Sequence, residues 1–119
     1  MRDFKKLHVW NRAIDLCVEV YKVTEKFPKK EVYSLTDQIR RAAVSIFSNI
    51  AEGCKRGTDK ELIHYCNMAL GSTGELEAQL IFSERVGYLS KDDVESLTSE
   101  CDEIGKMLMG FIKSIREIC

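Results

Sequence analysis

Proline occurs once in this 119-residue chain and glycine seven times, too little turn chemistry for an architecture of many short strands. Histidine occurs twice. Glu61-Leu62-Ile63-His64 is a Glu-x-x-His pair, but His8 has no matching carboxylate, so the second pair of a two-metal helical bundle is missing. His64 and Cys66, two apart on a helix, point to different faces and make no mononuclear site with Cys54. No strand-turn-helix elbow supports a nucleophile triad. Glu52-Gly53-Cys54-Lys55-Arg56-Gly57 carries two glycines without the Walker pattern. No apolar run approaches the roughly 18 residues of a membrane span, and the amino-terminal MRDFKKLHVW lacks the apolar stretch of a secretion signal. The expectation is a cytoplasmic, non-enzymatic protein with no cofactor, no metal and no membrane partner.

Five cysteines are present, an odd number without a Cys-x-x-Cys pair. Cys17, Cys54, Cys66 and Cys101 fall on apolar helical positions, which predicts buried, reduced thiols rather than a disulfide framework. Apolar residues make up 45% and charged residues 31%, enough of each for one folded domain over residues 1–119.

Four helical segments cover nearly the whole chain. The first spans about 9–27, with Trp10, Ala13, Ile14, Cys17, Val20, Tyr21 and Phe27 on one face and Pro28 as its stop. Trp10 suits the core better than an interface. The second spans about 35–54 behind Ser34 as N-cap, and Gly53 and Gly57 supply its stop. Ile39, Ala43, Ile46 and Ile50 form its core stripe, and Val44, Phe47, Ala51 and Cys54 a second apolar stripe. The third opens at a capping box, Thr58 to Glu61, and ends near Val86 with Gly87 as a left-handed cap. Leu62, Cys66, Ala69, Thr73, Leu76 and Leu80 form its stripe. The fourth follows Ser90, with a Leu89–Val94 staple. Its seam is Val94, Leu97, Cys101, Ile104, Leu108, Phe111, Ile115 and Ile118. Short connections predict an all-α, antiparallel, up-down-up-down four-helix bundle.

Gly71 and Gly74 sit mid-helix, where each costs about 1 kcal/mol relative to alanine; close approach of another backbone is the expected compensation. Counting outward from the turn near Arg56 sets Arg41 opposite Gly71, with Ala42 and Ala43 near both glycines. The same count puts Arg40 and Arg41 within reach of Ser72 and Glu75, as a network between helices two and three. Arg41, Ser45, Ser48 and Glu52 form a polar stripe beside Asn49 and Phe47. That stripe either faces solvent or borders a subunit interface.

The net charge of −1 hides an asymmetry. Residues 1–60 hold 13 Lys and Arg against 8 Asp and Glu, a balance of +5, and residues 61–119 hold 5 against 11, a balance of −6. Either the two halves neutralise each other, within the fold or between subunits, or the first half presents a basic surface to an anion such as RNA. The candidate contacts are Arg12, Lys22, Lys26, Lys29, Lys30, Lys55, Arg56 and Lys60.

Taken together, FKKLHVW (4–10), QIRRAAVSI (38–46) and SNIAEG (48–53) resemble the bacterial four-helix-bundle family of ribosomal RNA intervening-sequence proteins. Arg56, Lys60-Glu61, Tyr65, Gly71-Ser72, Glu75-Leu76-Glu77, Gln79-Leu80 and Gly87-Tyr88-Leu89 extend the match over essentially the whole chain. The family usually has proline where this chain has Phe47, so its helix-two kink is not carried over. The resemblance implies up-down bundles assembled as homopentamers, without an established activity in most members. Its relatives, the accessory variability proteins of diversity-generating retroelements, bind a reverse transcriptase and nucleic acid. The resulting expectation is a self-associating accessory protein partnered by RNA or a reverse transcriptase. The alternative is a structural or protein-interaction module without a nucleic-acid role.

Overall fold

The apolar spacing is realised as four long helices. In the computed structural model, which describes residues 2–118 and side chains as far as residue 117, α1 is His8–Thr24, α2 Leu35–Lys55, α3 Asp59–Arg85 and α4 Lys91–Ile118. Short 3-10 turns at Phe4–Lys6 and Lys29–Glu31 precede α1 and α2. Each helix packs on its neighbour in the chain, and α1 closes the ring against α4. The result is an up-down-up-down bundle measuring 47 × 24 × 20 Å. Among the described residues no helix is long and apolar enough to cross a membrane.

The core is continuous. Ile39, Ala43, Ile46 and Ile50 of α2 are fully buried, as are Cys66, Ala69, Leu76 and Leu80 of α3 and Ile104, Leu108 and Ile115 of α4. Leu16 and Ile112 join them, and Tyr21 does not, being 42% exposed. Phe111 is only half-buried; the Ile118 side chain and Cys119 lie outside the described residues.

Several helix ends follow their local signals. Thr58 Oγ1 accepts from Glu61 N (3.1 Å) and Ser90 Oγ from Asp93 N (3.1 Å). Gly87, at φ +87°, closes α3: its N–H donates to Glu84 O (3.0 Å), and that of Tyr88 to Ser83 O (2.9 Å). This pair of bonds is a Schellman cap, which needs the left-handed residue that glycine supplies. Ser34 departs from expectation. It donates its hydroxyl to Glu31 Oε1 (2.6 Å) and makes no cap bond to α2, because the preceding 3-10 turn places a carboxylate closer than the helix's first amides.

The glycines also exchange roles. Gly53 lies inside α2, not at its stop, and is buried. A Cβ there would come 2.9 Å from Tyr65 Cβ, so α2 and α3 approach closely at this point. Gly71 and Gly74 are exposed and a Cβ at either would meet nothing within 4 Å. The close approach expected of them is therefore absent within the chain, since both lie on the outer side of α3.

Candidate interaction surfaces

The polar residues of α2 divide between three directions. Arg40 reaches α1: its Nε donates to Thr24 Oγ1 (2.9 Å) and an Nη to Tyr21 O (3.2 Å). Its guanidinium lies 4.4 Å from the Tyr21 ring centroid, and Glu25 is 3.6 Å away. This cation sits where the last carbonyls of α1 concentrate negative potential. Arg41 faces outward and pairs with Asp37 on its own helix (2.9 Å). Neither arginine reaches Ser72 or Glu75, contrary to the count along the hairpin, because Arg40 turns to α1 and Arg41 turns back along α2 to Asp37.

The expected link between α2 and α3 is made instead by Ser45, Asn49 and Ser72. Asn49 Nδ2 donates to Ser45 Oγ (2.9 Å), the two serine hydroxyls are 2.8 Å apart, and Ser72 donates to Met68 O (3.2 Å). One proton per hydroxyl then orders the chain from Asn49 through Ser45 and Ser72 to the Met68 carbonyl. Ser48 and Glu52 face solvent, Glu52 lying 3.8 Å from Arg56. Glu75 is exposed and has no ion pair among the described residues.

Phe47 belongs to a seam within the chain. It meets Trp10 edge-on at 6.5 Å, and Trp10 in turn packs on Phe4 at 4.9 Å. Cys54 is buried and Val44 and Phe47 pack on the core, so most of the second apolar stripe contacts its own chain. α2 runs unbroken through Phe47.

The basic candidates do not form one surface. Lys22, Lys26, Lys29 and Lys30 gather where α1 gives way to α2, and Lys55, Arg56 and Lys60 lie at the opposite end. Arg12, between them, is paired with Glu100 at 2.6 Å. Arg56 is engaged by the Tyr65 hydroxyl (2.5 Å) and by Glu52 and Glu61, and Lys55 lies 5.9 Å from the Phe4 ring centroid. Lys26, Lys29 and Lys30 are exposed and carry no ion pair among the described residues. Beside them Tyr33 is 94% exposed, a residue that spacing could not single out because it lies in a connection.

The same end is fastened by Glu31, which accepts from Ser34 and from the Tyr88 hydroxyl (2.9 Å). These two bonds, Ser34's first, hold its carboxyl below the usual range, and the bond to Glu31 pushes the Tyr88 phenol up. Cys17, Cys54, Cys66 and Cys101 are free and buried. Burial raises all four thiols, Cys66 and Cys101 to about 12. The Glu61 carboxylate accepts from the Thr58 hydroxyl (3.4 Å) and pairs with Arg56 (3.6 Å), and His64 is exposed beside the Tyr65 ring. Among the described residues no three His, Cys, Asp or Glu side chains converge as metal ligands would.

An antiparallel four-helix bundle with its polar groups divided between helix seams and two charged ends is the class of protein these observations define. Residues 5–110 match the 23S rRNA-intervening sequence protein family, and the chain belongs to that family. A solved structure superposes with a TM-score of 0.79 at 27% identity, over 88% of this chain and 98% of the other. It is a protein of unknown function from the S23 ribosomal protein family of Bacteroides thetaiotaomicron. No curated protein matches the chain.

Proposed function

We propose that this protein is a cytoplasmic, non-catalytic helical bundle that works as a homo-oligomer, five copies by family resemblance, and associates with RNA. The observation that carries the RNA reading is the end where α1 gives way to α2, which holds the exposed lysines Lys22, Lys26, Lys29 and Lys30 together with the exposed ring of Tyr33. Cations that attract phosphates and an aromatic face on which a base stacks are the two elements of single-strand binding. Repetition of this end around an oligomer multiplies weak contacts. The acidic second half keeps the affinity modest and salt-sensitive.

Fluorescence anisotropy with a labelled single-stranded RNA tests the reading. Binding at low salt should fall steeply as salt rises, with a log–log slope of roughly −3 if four phosphates are neutralised per site. Replacing Lys29 and Lys30 by alanine should lower that slope by about 1 to 2. RNA binding absent even at low salt, together with nuclease-insensitive capture of a protein such as a reverse transcriptase, would move the reading to a protein-interaction module.

A further inference from the structure

The outer side of α3 is an apolar face that its own chain leaves uncovered. Met68, Gly71, Glu75, Ala78 and Phe82 recur three and four apart, away from the buried stripe of Cys66, Ala69, Leu76 and Leu80. Met68 is 45% and Phe82 53% exposed. Gly71 weakens the helix and receives no intrachain packing in return, since the space beyond it is open. Glu75, an unpaired carboxylate, sits in the middle.

A second uncovered surface lies on the adjacent side of the bundle. Between α1 and α2 runs a groove of about 530 Å³, with Tyr21, Val32 and Val44 as apolar walls and Arg40, Arg41 and Asp37, the partner of Arg41, along it. Thr36 also lines it, 95% buried (5% exposed), with a hydroxyl that has no hydrogen-bond partner. The groove belongs to the half of the chain with a charge balance of +5, and the α3 stripe to the half with −6.

We propose that the occupant of this groove is a second copy of the chain, with the α3 stripe of one copy seated between α1 and α2 of the next and Glu75 meeting Arg41. This rests on the reading that the protein self-associates, and adds which faces do so. Charge complementarity favours this pairing over contact between two α3 stripes, which would set Glu75 against Glu75 with no cation between them. Gly71 lets the neighbouring groove wall approach the α3 backbone. Unlike faces on adjacent sides of a four-cornered bundle generate a head-to-tail contact that repeats from copy to copy, and a ring forms where the rotation between copies closes.

Sedimentation velocity and light scattering on the full chain test the assignment, using Gly71→Leu, Glu75→Arg, Arg41→Glu and the double charge swap, each checked by circular dichroism. Gly71→Leu fills open space on an exposed helix face, so it should keep or raise the melting temperature while shifting the protein to monomer. Each single charge reversal should weaken association by roughly tenfold or more, and the double swap should restore it. A wild-type monomer at micromolar concentration would overturn both this assignment and the self-association reading. An assembled wild type whose single variants remain assembled, or whose double swap fails to recover, would overturn the assignment of faces alone.

Discussion

Gly53 of α2 and Tyr65 of α3 lie so close that a Cβ on residue 53 would come 2.9 Å from Tyr65 Cβ, with Leu62 Cδ1 at 3.1 Å and Leu62 O at 3.3 Å. The obstructing atoms include a backbone oxygen and the root of a side chain, neither of which swings aside. Gly53→Ala should therefore destabilise the fold by about 1–3 kcal/mol despite alanine's better helix propensity. Urea denaturation reads this as a lower midpoint at unchanged slope.

The opposite sign is expected one helix away. Gly71→Ala and Gly74→Ala place a methyl in open space, so each should stabilise a monomeric reference state by up to about 1 kcal/mol. Comparing all three variants in one denaturation series separates a glycine required by packing from glycines that the isolated chain does not need.

Arg40→Ala removes the two hydrogen bonds that tie α2 to Thr24 and the Tyr21 carbonyl, along with the stacking on the Tyr21 ring. The expected cost is about 2 kcal/mol. Lysine should recover little of it, because a single ammonium cannot hold both acceptors and lie flat over the ring. Thermal melts of the two variants check this directly.

Cys17, Cys54, Cys66 and Cys101 should resist alkylation at pH 8 in the native protein and react fully in denaturant, as mapped by mass spectrometry. Their raised pKa values also set a pH dependence. The unfolded chain loses thiol protons near the ordinary value of 9.0 while folded Cys66 and Cys101 keep theirs to about 12. Between those limits the unfolded state binds fewer protons, so the thiol contribution to stability is complete below pH 9 and declines as pH rises toward 12. A chemical-denaturation series from pH 8 to alkaline pH shows the decline; buried-cysteine-to-alanine variants should flatten it.

Tyr88→Phe should raise the depressed pKa of Glu31 partway to its ordinary value of 4.5, because the Ser34 hydroxyl still donates. Carbon-detected NMR titration of the Glu31 carboxyl reads the shift. Glu31 stabilises the ionised, bonded form, so its contribution is present above pH 4.5 and lost as pH falls through the folded value.

The helices were legible because their signals are local. Thr58, Ser90 and Gly87 cap as their positions predict, and Ile46, Ile50, Leu76 and Leu80 keep the core spacing. Direction across a seam was not legible. The arginine pair was expected to reach α3, and Arg40 turned to α1 while the smaller Ser45, itself held by Asn49, made the link to Ser72 of α3. Spacing specifies which residues share a face, but a few tens of degrees of rotation decide which neighbour a long side chain meets. The outer stripe of α3 was hidden for a different reason: a face built partly from glycine, alanine and one glutamate carries almost no hydrophobic periodicity.

Trp10 is the only tryptophan in the chain, held between the rings of Phe4 and Phe47 with an indole N–H that meets no acceptor. The molecule thus contains its own optical probe, placed at the amino-terminal end of the α1–α2 seam, the far end from Tyr21. Its emission should report whether those two helices are docked, so folding can be followed by fluorescence in the same sample whose association is followed by light scattering.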